Sequence, residues 1–232
     1  MDHTIKETKL TNSIICFEEI EYTEHCNCYL IIGENKCLLI DLGIGFIDFS
    51  SILKKYIGDK PLITILTHFH YDHFAGGSSF KNILANKKNL SNKDIGLHYL
   101  HENDFLNPES TQKLKLAINE DKYEQVVENS IIDLGDYQFL ILYTPGHDET
   151  SISLFEPRRK ILFSGDLIYP GKLLASFKDS NHQQYIVSQE KIKKLQPTII
   201  YGGHNQPITD DIPEKIDRVI KGLKEKKLEF TA

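Results

Sequence analysis

Four times along this chain a short apolar run stops at a turn and is followed at once by side chains that bind metals. Leu62 to Leu66 leads into Thr67-His68-Phe69-His70-Tyr71-Asp72-His73, and Tyr137 to Tyr143 into Thr144-Pro145-Gly146-His147. Lys160 to Phe163 leads into Ser164-Gly165-Asp166, and Thr198 to Ile200 into Tyr201-Gly202-Gly203-His204. The apolar runs read as buried strands, and the glycines in the last three turns let the backbone reverse tightly. Such a chain has to bring several strand ends to one rim, as α/β sheets do with sites beyond their strand termini. Length and composition exclude coiled-coil, collagen-like and disordered chains. A length of 232 residues with 40% hydrophobic positions provides the core of one domain spanning 1–232.

The intervening sequence predicts the layers. Ser13 to Ile20, Cys28 to Gly33 and Lys36 to Leu42 read as strands, the last two joined by the turn Gly33-Glu34-Asn35. Phe49, Ile52, Leu53 and Tyr56 have helical spacing over Asp48 to Ile57, ending at Gly58. From about 81 to 130 the chain is polar and irregular, predicting a loop and one or two surface helices that form a lid insertion. Strands resume at Ile131-Ile132 and Ser151 to Phe155. Ser180 with Gln183 predicts a capping box opening a helix to about Leu195, and Ile212, Ile216, Val219 and Leu223 mark a second, amphipathic helix. The order strand-rich, helix, strand occurs twice. It points to two similar halves and a four-layer αββα sandwich.

The polar segment Met1 to Leu10 predicts no signal peptide, and no apolar run approaches the roughly 18 residues of a membrane span. Cys16, Cys26, Cys28 and Cys37 contain no Cys-x-x-Cys unit, so they are expected as buried free thiols in a reducing, cytoplasmic setting. A net charge of -6 argues against a general nucleic-acid surface.

Neutral imidazoles and carboxylates are the ligands of borderline divalent metals. In an extended or turn-like backbone alternate residues point the same way, so His68 and His70 can face one ion while Asp72 and His73 reach another. His3, His25, His98, His101 and His182 read as surface or turn residues, His182 with some prospect of lining a pocket.

The His-x-His-x-Asp-His run, the Thr-Pro-Gly-His, the Gly-Asp and the C-terminal Gly-Gly-His, in this order over about Asn27 to Asn205, resemble the metallo-β-lactamase-fold hydrolase superfamily. The resemblance implies the αββα sandwich, with His68, His70 and His147 on one metal, Asp72, His73 and His204 on a second, and Asp166 bridging them. Asp41 matches an aspartate that supports the ligands. Two divalent ions are implied, Zn foremost, with Mn or Fe suiting the same donors. They would lower the pKa of a shared water to near neutrality, giving a hydroxide that attacks the substrate. Asp72 would orient this nucleophile as well as bind metal. Tyr169 stands where the lactonase branch has a tyrosine that addresses the substrate carbonyl, which makes it a candidate catalytic residue; packing beneath the following helix is the alternative.

The implied reaction is hydrolysis of a small-molecule thioester, acyl-CoA or glutathione-linked, since Lys160 to Ala175 resembles the acyl-CoA thioesterase-like members. Lactone hydrolysis is the alternative. A mononuclear iron persulfide dioxygenase is the rival from another class, although the chain lacks the Arg-Thr-Asp segment that branch carries. A cysteine in place of Asp166 marks the commonest zinc β-lactamases, and nucleases of the family add an arm for which there is no room.

Overall fold

A computed structural model describes residues 4–21, 24–45, 49–88, 117, 119–227 and 229–232. They fall into two compact units, residues 1–126 with 133–137 and residues 127–132 with 138–232.

The first unit carries a seven-stranded sheet in chain order: β1 (Thr4–Lys9), β2 (Ile14–Glu21), β3 (Glu24–Ile32), β4 (Cys37–Ile40), β5 (Leu62–Ile65), β6 (Ile83–Ala85) and β7 (Tyr123–Gln125). Pairing is antiparallel from β1 to β4 and parallel from β4 to β7. Strand alternation places Phe17, Cys28, Leu30 and Leu39 in one core cluster with Phe49 and Leu53 of α1 (Phe49–Ile57). Phe17 and Phe49 meet edge to face with ring centroids 5.8 Å apart. Every residue of β4 is buried, as befits the interior of a sheet covered on both faces.

In this sheet three strands have no counterpart in the sequence reading. β1 is mostly polar (TIKETK) and is defined by its register with β2, Thr4 opposite Ile20 through Lys9 opposite Ile15. β6 and β7, three residues each, lie in the stretch expected as loop and surface helices. Runs this short carry no readable period, and parallel pairing of β6 to β5 and of β7 to β6 creates them. Residues 89–116 and 118 of the expected lid lie outside the described residues, as do His98, His101 and His3.

The second unit carries a five-stranded sheet built from β8 (Ile131–Asp133), β9 (Gln138–Tyr143), β10 (Ile152–Glu156), β11 (Ile161–Gly165) and β13 (Ile199–Gly202), in the order β13-β11-β10-β9-β8. A separate antiparallel pair joins β12 (Lys172–Leu174) to β14 (Glu229–Thr231). Helices α3 (His182–Leu195) and α4 (Ile212–Lys224) bury Tyr185, Ile192, Ile216 and Val219 with Leu162 and Ile200 in one cluster. The capping box expected at Ser180 is displaced by one residue. Asn181 caps α3, its Oδ1 accepting from Gln184 N at 3.0 Å, while Ser180 Oγ donates to His147 O at 2.6 Å.

Strand direction sets the rim of each sheet. In the first unit β4 and β5 run parallel with Ile40 opposite Ile65, so the residues that follow them, Asp41 and Thr67, emerge side by side. In the second, β10 is antiparallel to both β9 and β11, and β13 is parallel to β11. β9, β11 and β13 therefore run the same way, and the segments bearing His147, Asp166 and His204 leave one edge. Among the described residues no helix is long and apolar enough to cross a membrane.

Candidate metal centre

In the first unit the donors follow β5. Phe69 alternates inward, packing on Phe74 at 5.7 Å and Tyr123 at 5.0 Å between ring centroids. His68 and His70 face the other way, their rings 4.6 Å apart. His70, in extended conformation, occupies the N-cap position of the single turn α2 (Tyr71–Phe74), which turns Asp72 and His73 back so that the His68 and His73 rings lie 4.1 Å apart. His73 Nε2 is 3.3 Å from Asp72 Oδ2. All four donors are at most 5% exposed.

One buried carboxylate organises this group. Asp41 Oδ1 accepts from Thr67 N at 2.7 Å; Oδ2 accepts from Thr67 Oγ1 at 2.8 Å and from His73 Nδ1 at 2.9 Å. The Thr67 hydroxyl has thus spent its proton on Asp41, and its 3.0 Å contact with His68 Nδ1 must be one in which the ring donates. Asp41 therefore fixes the tautomer of two histidines, His73 directly and His68 through Thr67, and leaves Nε2 of each as the lone-pair nitrogen.

In the second unit the Asp166 carboxylate lies between two imidazoles, with Oδ2 at 3.1 Å from His204 Nε2 and 3.5 Å from His147 Nε2. His147 Nδ1 faces Leu174 O at 3.1 Å, and a carbonyl only accepts, so Nδ1 carries the proton and Nε2 the lone pair. Gly146 is required before His147: at φ +145° its missing Cβ would lie 2.2 Å from Tyr185 Cα. The Tyr169 ring packs edge-on to His204 at 4.8 Å, and its hydroxyl donates to Lys172 O at 3.0 Å. His182 Nε2 is 3.0 Å from Ala175 O.

The sequence-expected donors therefore stand as two groups, His68, His70, Asp72 and His73 in one unit and His147, Asp166 and His204 in the other, all buried but His204, which is partly exposed. Three imidazoles with a carboxylate, and two with a carboxylate, suit borderline divalent cations. Cys26, expected in the core, is buried there and also lies beside the donors: Cys26, Asp72 and His73 present ligand atoms within 4.8 Å of one another. Its Sγ is 3.8 Å from His73 Nδ1, the nitrogen already engaged by Asp41. Burial, then neighbouring Cys28, Asp72 and Asp41, push the Cys26 thiol well above its ordinary value. It adjoins the group as a neutral thiol. Two further buried acids, which hold the loops after Asp41 and His147, were not read from sequence. Glu19 accepts from Ile44 N and Gly45 N in the loop after Asp41, and Asp148 closes the loop after His147 through Thr150 and Ser151. The signal for Asp148 was available, as an Asp-x-Thr-Ser turn.

A family model described as the metallo-beta-lactamase superfamily matches residues 22–204, and the chain belongs to that superfamily. Its fold is the expected α/β one: a metallo-β-lactamase family protein of Thermus thermophilus superposes with a TM-score of 0.71 at 14% identity, over 94% of this chain and 81% of that one. Among sequence relatives, an acyl-coenzyme A thioesterase, MBLAC2, of Gallus gallus is 27% identical over 191 residues, 75% of this chain and 69% of the relative. A beta-lactamase-like protein 2 homolog of Caenorhabditis elegans is 29% identical over 205 residues, 84% of this chain and 60% of that protein.

Proposed function

We propose that the chain is a dinuclear metal-dependent hydrolase of thioesters, with acyl-CoA as the leading substrate class. The carrying observation is Asp166, a buried carboxylate whose one oxygen lies near the Nε2 atoms of both His147 and His204. A carboxylate so placed suits a bridge between cations. The assignment follows the family pattern: His68, His70 and His147 would hold one ion, Asp72, His73 and His204 the other, and Asp166 both. When bound, the ions supply an activated water at neutral pH and Lewis-acid polarisation of the substrate oxygen.

The chain's own residues do the rest. Asp41 and Thr67 keep His68 and His73 as neutral donors through Nε2, and Leu174 O does the same for His147. Asp72 is assigned the orientation of the nucleophile. The Tyr169 hydroxyl is assigned as donor to the substrate carbonyl oxygen, a role in which it leaves Lys172 O. The thioester preference is supported by the acyl-coenzyme A thioesterases at 25–27% identity.

The test couples metal quantification to a hydrolysis panel of acyl-CoA, glutathione thioesters, lactones and phosphodiesters. Two ions per chain with acyl-CoA turnover are expected; one iron with oxygen uptake on a persulfide would overturn the reading. Asp166→Ala is expected to lose an ion and most turnover while keeping the circular dichroism of the parent. Tyr169→Phe is expected to lower kcat about 100-fold with unchanged metal content, the scale of losing one oxyanion donor.

A further inference from the structure

We propose that Tyr185 is a positioning residue for the metal donors of the second unit, acting through Asp166 as the centre of a polar face by which α3 holds the donor loops. This rests on the reading of Asp166 and His147 as metal ligands. Helices of globular proteins normally turn an apolar stripe inward. The buried face of α3 instead includes Tyr185, Ser188 and Gln189, at most 2% exposed, and each donates to a main-chain carbonyl outside the helix.

Those carbonyls belong to the two donor loops. Tyr185 Oη donates to Asp166 O at 2.9 Å and Gln189 Nε2 to Leu167 O at 2.5 Å. Ser188 Oγ donates to Pro145 O at 2.7 Å, Asn181 N to Gly146 O at 2.8 Å and Ser180 Oγ to His147 O at 2.6 Å. Where β9 and β11 end, the chain leaves the sheet ladder, and buried carbonyls there need donors from elsewhere. α3 and the two residues before it supply them, and backbone contact adds to the fixation: Gly146 approaches Tyr185 so closely that a Cβ would fall 2.4 Å from Tyr185 N. Tyr185 thus touches both loops, one by hydrogen bond and one by packing. Metal donors have to be held within about 0.5 Å of productive geometry. The Tyr185 hydroxyl sets the main chain from which the Asp166 carboxylate projects.

The test is Co(II) titration of the metal-free protein with its ligand-field spectrum, alongside thermal unfolding without metal. Tyr185→Phe removes one hydroxyl and is expected to weaken Co(II) binding about tenfold and to alter the spectrum, the scale found for partners that orient metal ligands. Ser188→Ala, a smaller lesion on the same face, is expected to weaken binding likewise, and it keeps the inference testable if Tyr185→Phe does not fold. A purely structural role would lower the melting temperature and leave Co(II) affinity and spectrum as in the parent. That result in both variants, with Asp166→Ala depleted of Co(II), overturns the inference alone. Parent-like Co(II) binding by Asp166→Ala overturns the metal reading, and the inference with it.

Discussion

Asp41 does at the scale of one residue what a whole motif does elsewhere. It lies at φ +62°, a conformation aspartate tolerates better than most residues, and with two oxygens it accepts from Thr67 N, Thr67 Oγ1 and His73 Nδ1. Asp41→Ala is expected to weaken metal binding 10–100-fold, about the effect of losing a carboxylate that orients a ligating histidine, as competition with a chelating dye would read. It also leaves the buried Thr67 N–H without its acceptor, so the metal-free protein should lose about 1–3 kcal/mol in urea unfolding. The thiols make a separate residue-scale case. Cys16, Cys26, Cys28 and Cys37 are all buried, and burial is the main cause raising each thiol pKa. Iodoacetamide should label them in urea and leave them largely unlabelled in the native protein, as mass spectrometry will show.

At the scale of elements, turns and helices decide where donors stand. Gly146→Ala puts a methyl group 2.2 Å from Tyr185 Cα at a φ of +145°, and neither backbone can yield cheaply. A loss of about 3 kcal/mol, the upper end for overpacking, is expected by denaturant unfolding, together with weakened metal binding. α4 contributes through packing alone. Ile216 is fully buried, so Ile216→Ala should cost about 2–5 kcal/mol in stability while metal content per folded chain stays at the parental value. The apolar steps of α4 were legible because its period is long and regular. β1, β6 and β7 were not, since a polar edge strand and two three-residue strands have no period to read and exist through pairing. The cap of α3 was misplaced by one residue for a related reason. Ser180 and Asn181 are both good caps locally, and the His147 carbonyl, 33 positions away, takes the serine.

For the whole molecule, superfamily membership and the donor groups lead to one thermodynamic expectation. Ions that bind only the folded chain stabilise it by about 2.7 kcal/mol at a concentration 100 times their Kd. Chelation should therefore lower the melting temperature by about 5–10 °C, and restored divalent metal should raise it again. Scanning calorimetry with and without chelator checks this, and a chain carrying Asp166→Ala should show a smaller shift.

By itself the sequence determined the donor types, their order and the strands they follow, because strand period and turn chemistry are local properties written in consecutive residues. It also carried the superfamily membership that the match over residues 22–204 bears out. Tertiary structure alone decided how the donors are held. Asp41 meets Thr67 across 26 positions because β4 and β5 pair in parallel, and Tyr185 meets Asp166 across 19 because α3 packs against the ends of its sheet. Hydrogen bonds of that kind depend on which segments become neighbours, and the local sequence does not specify neighbours.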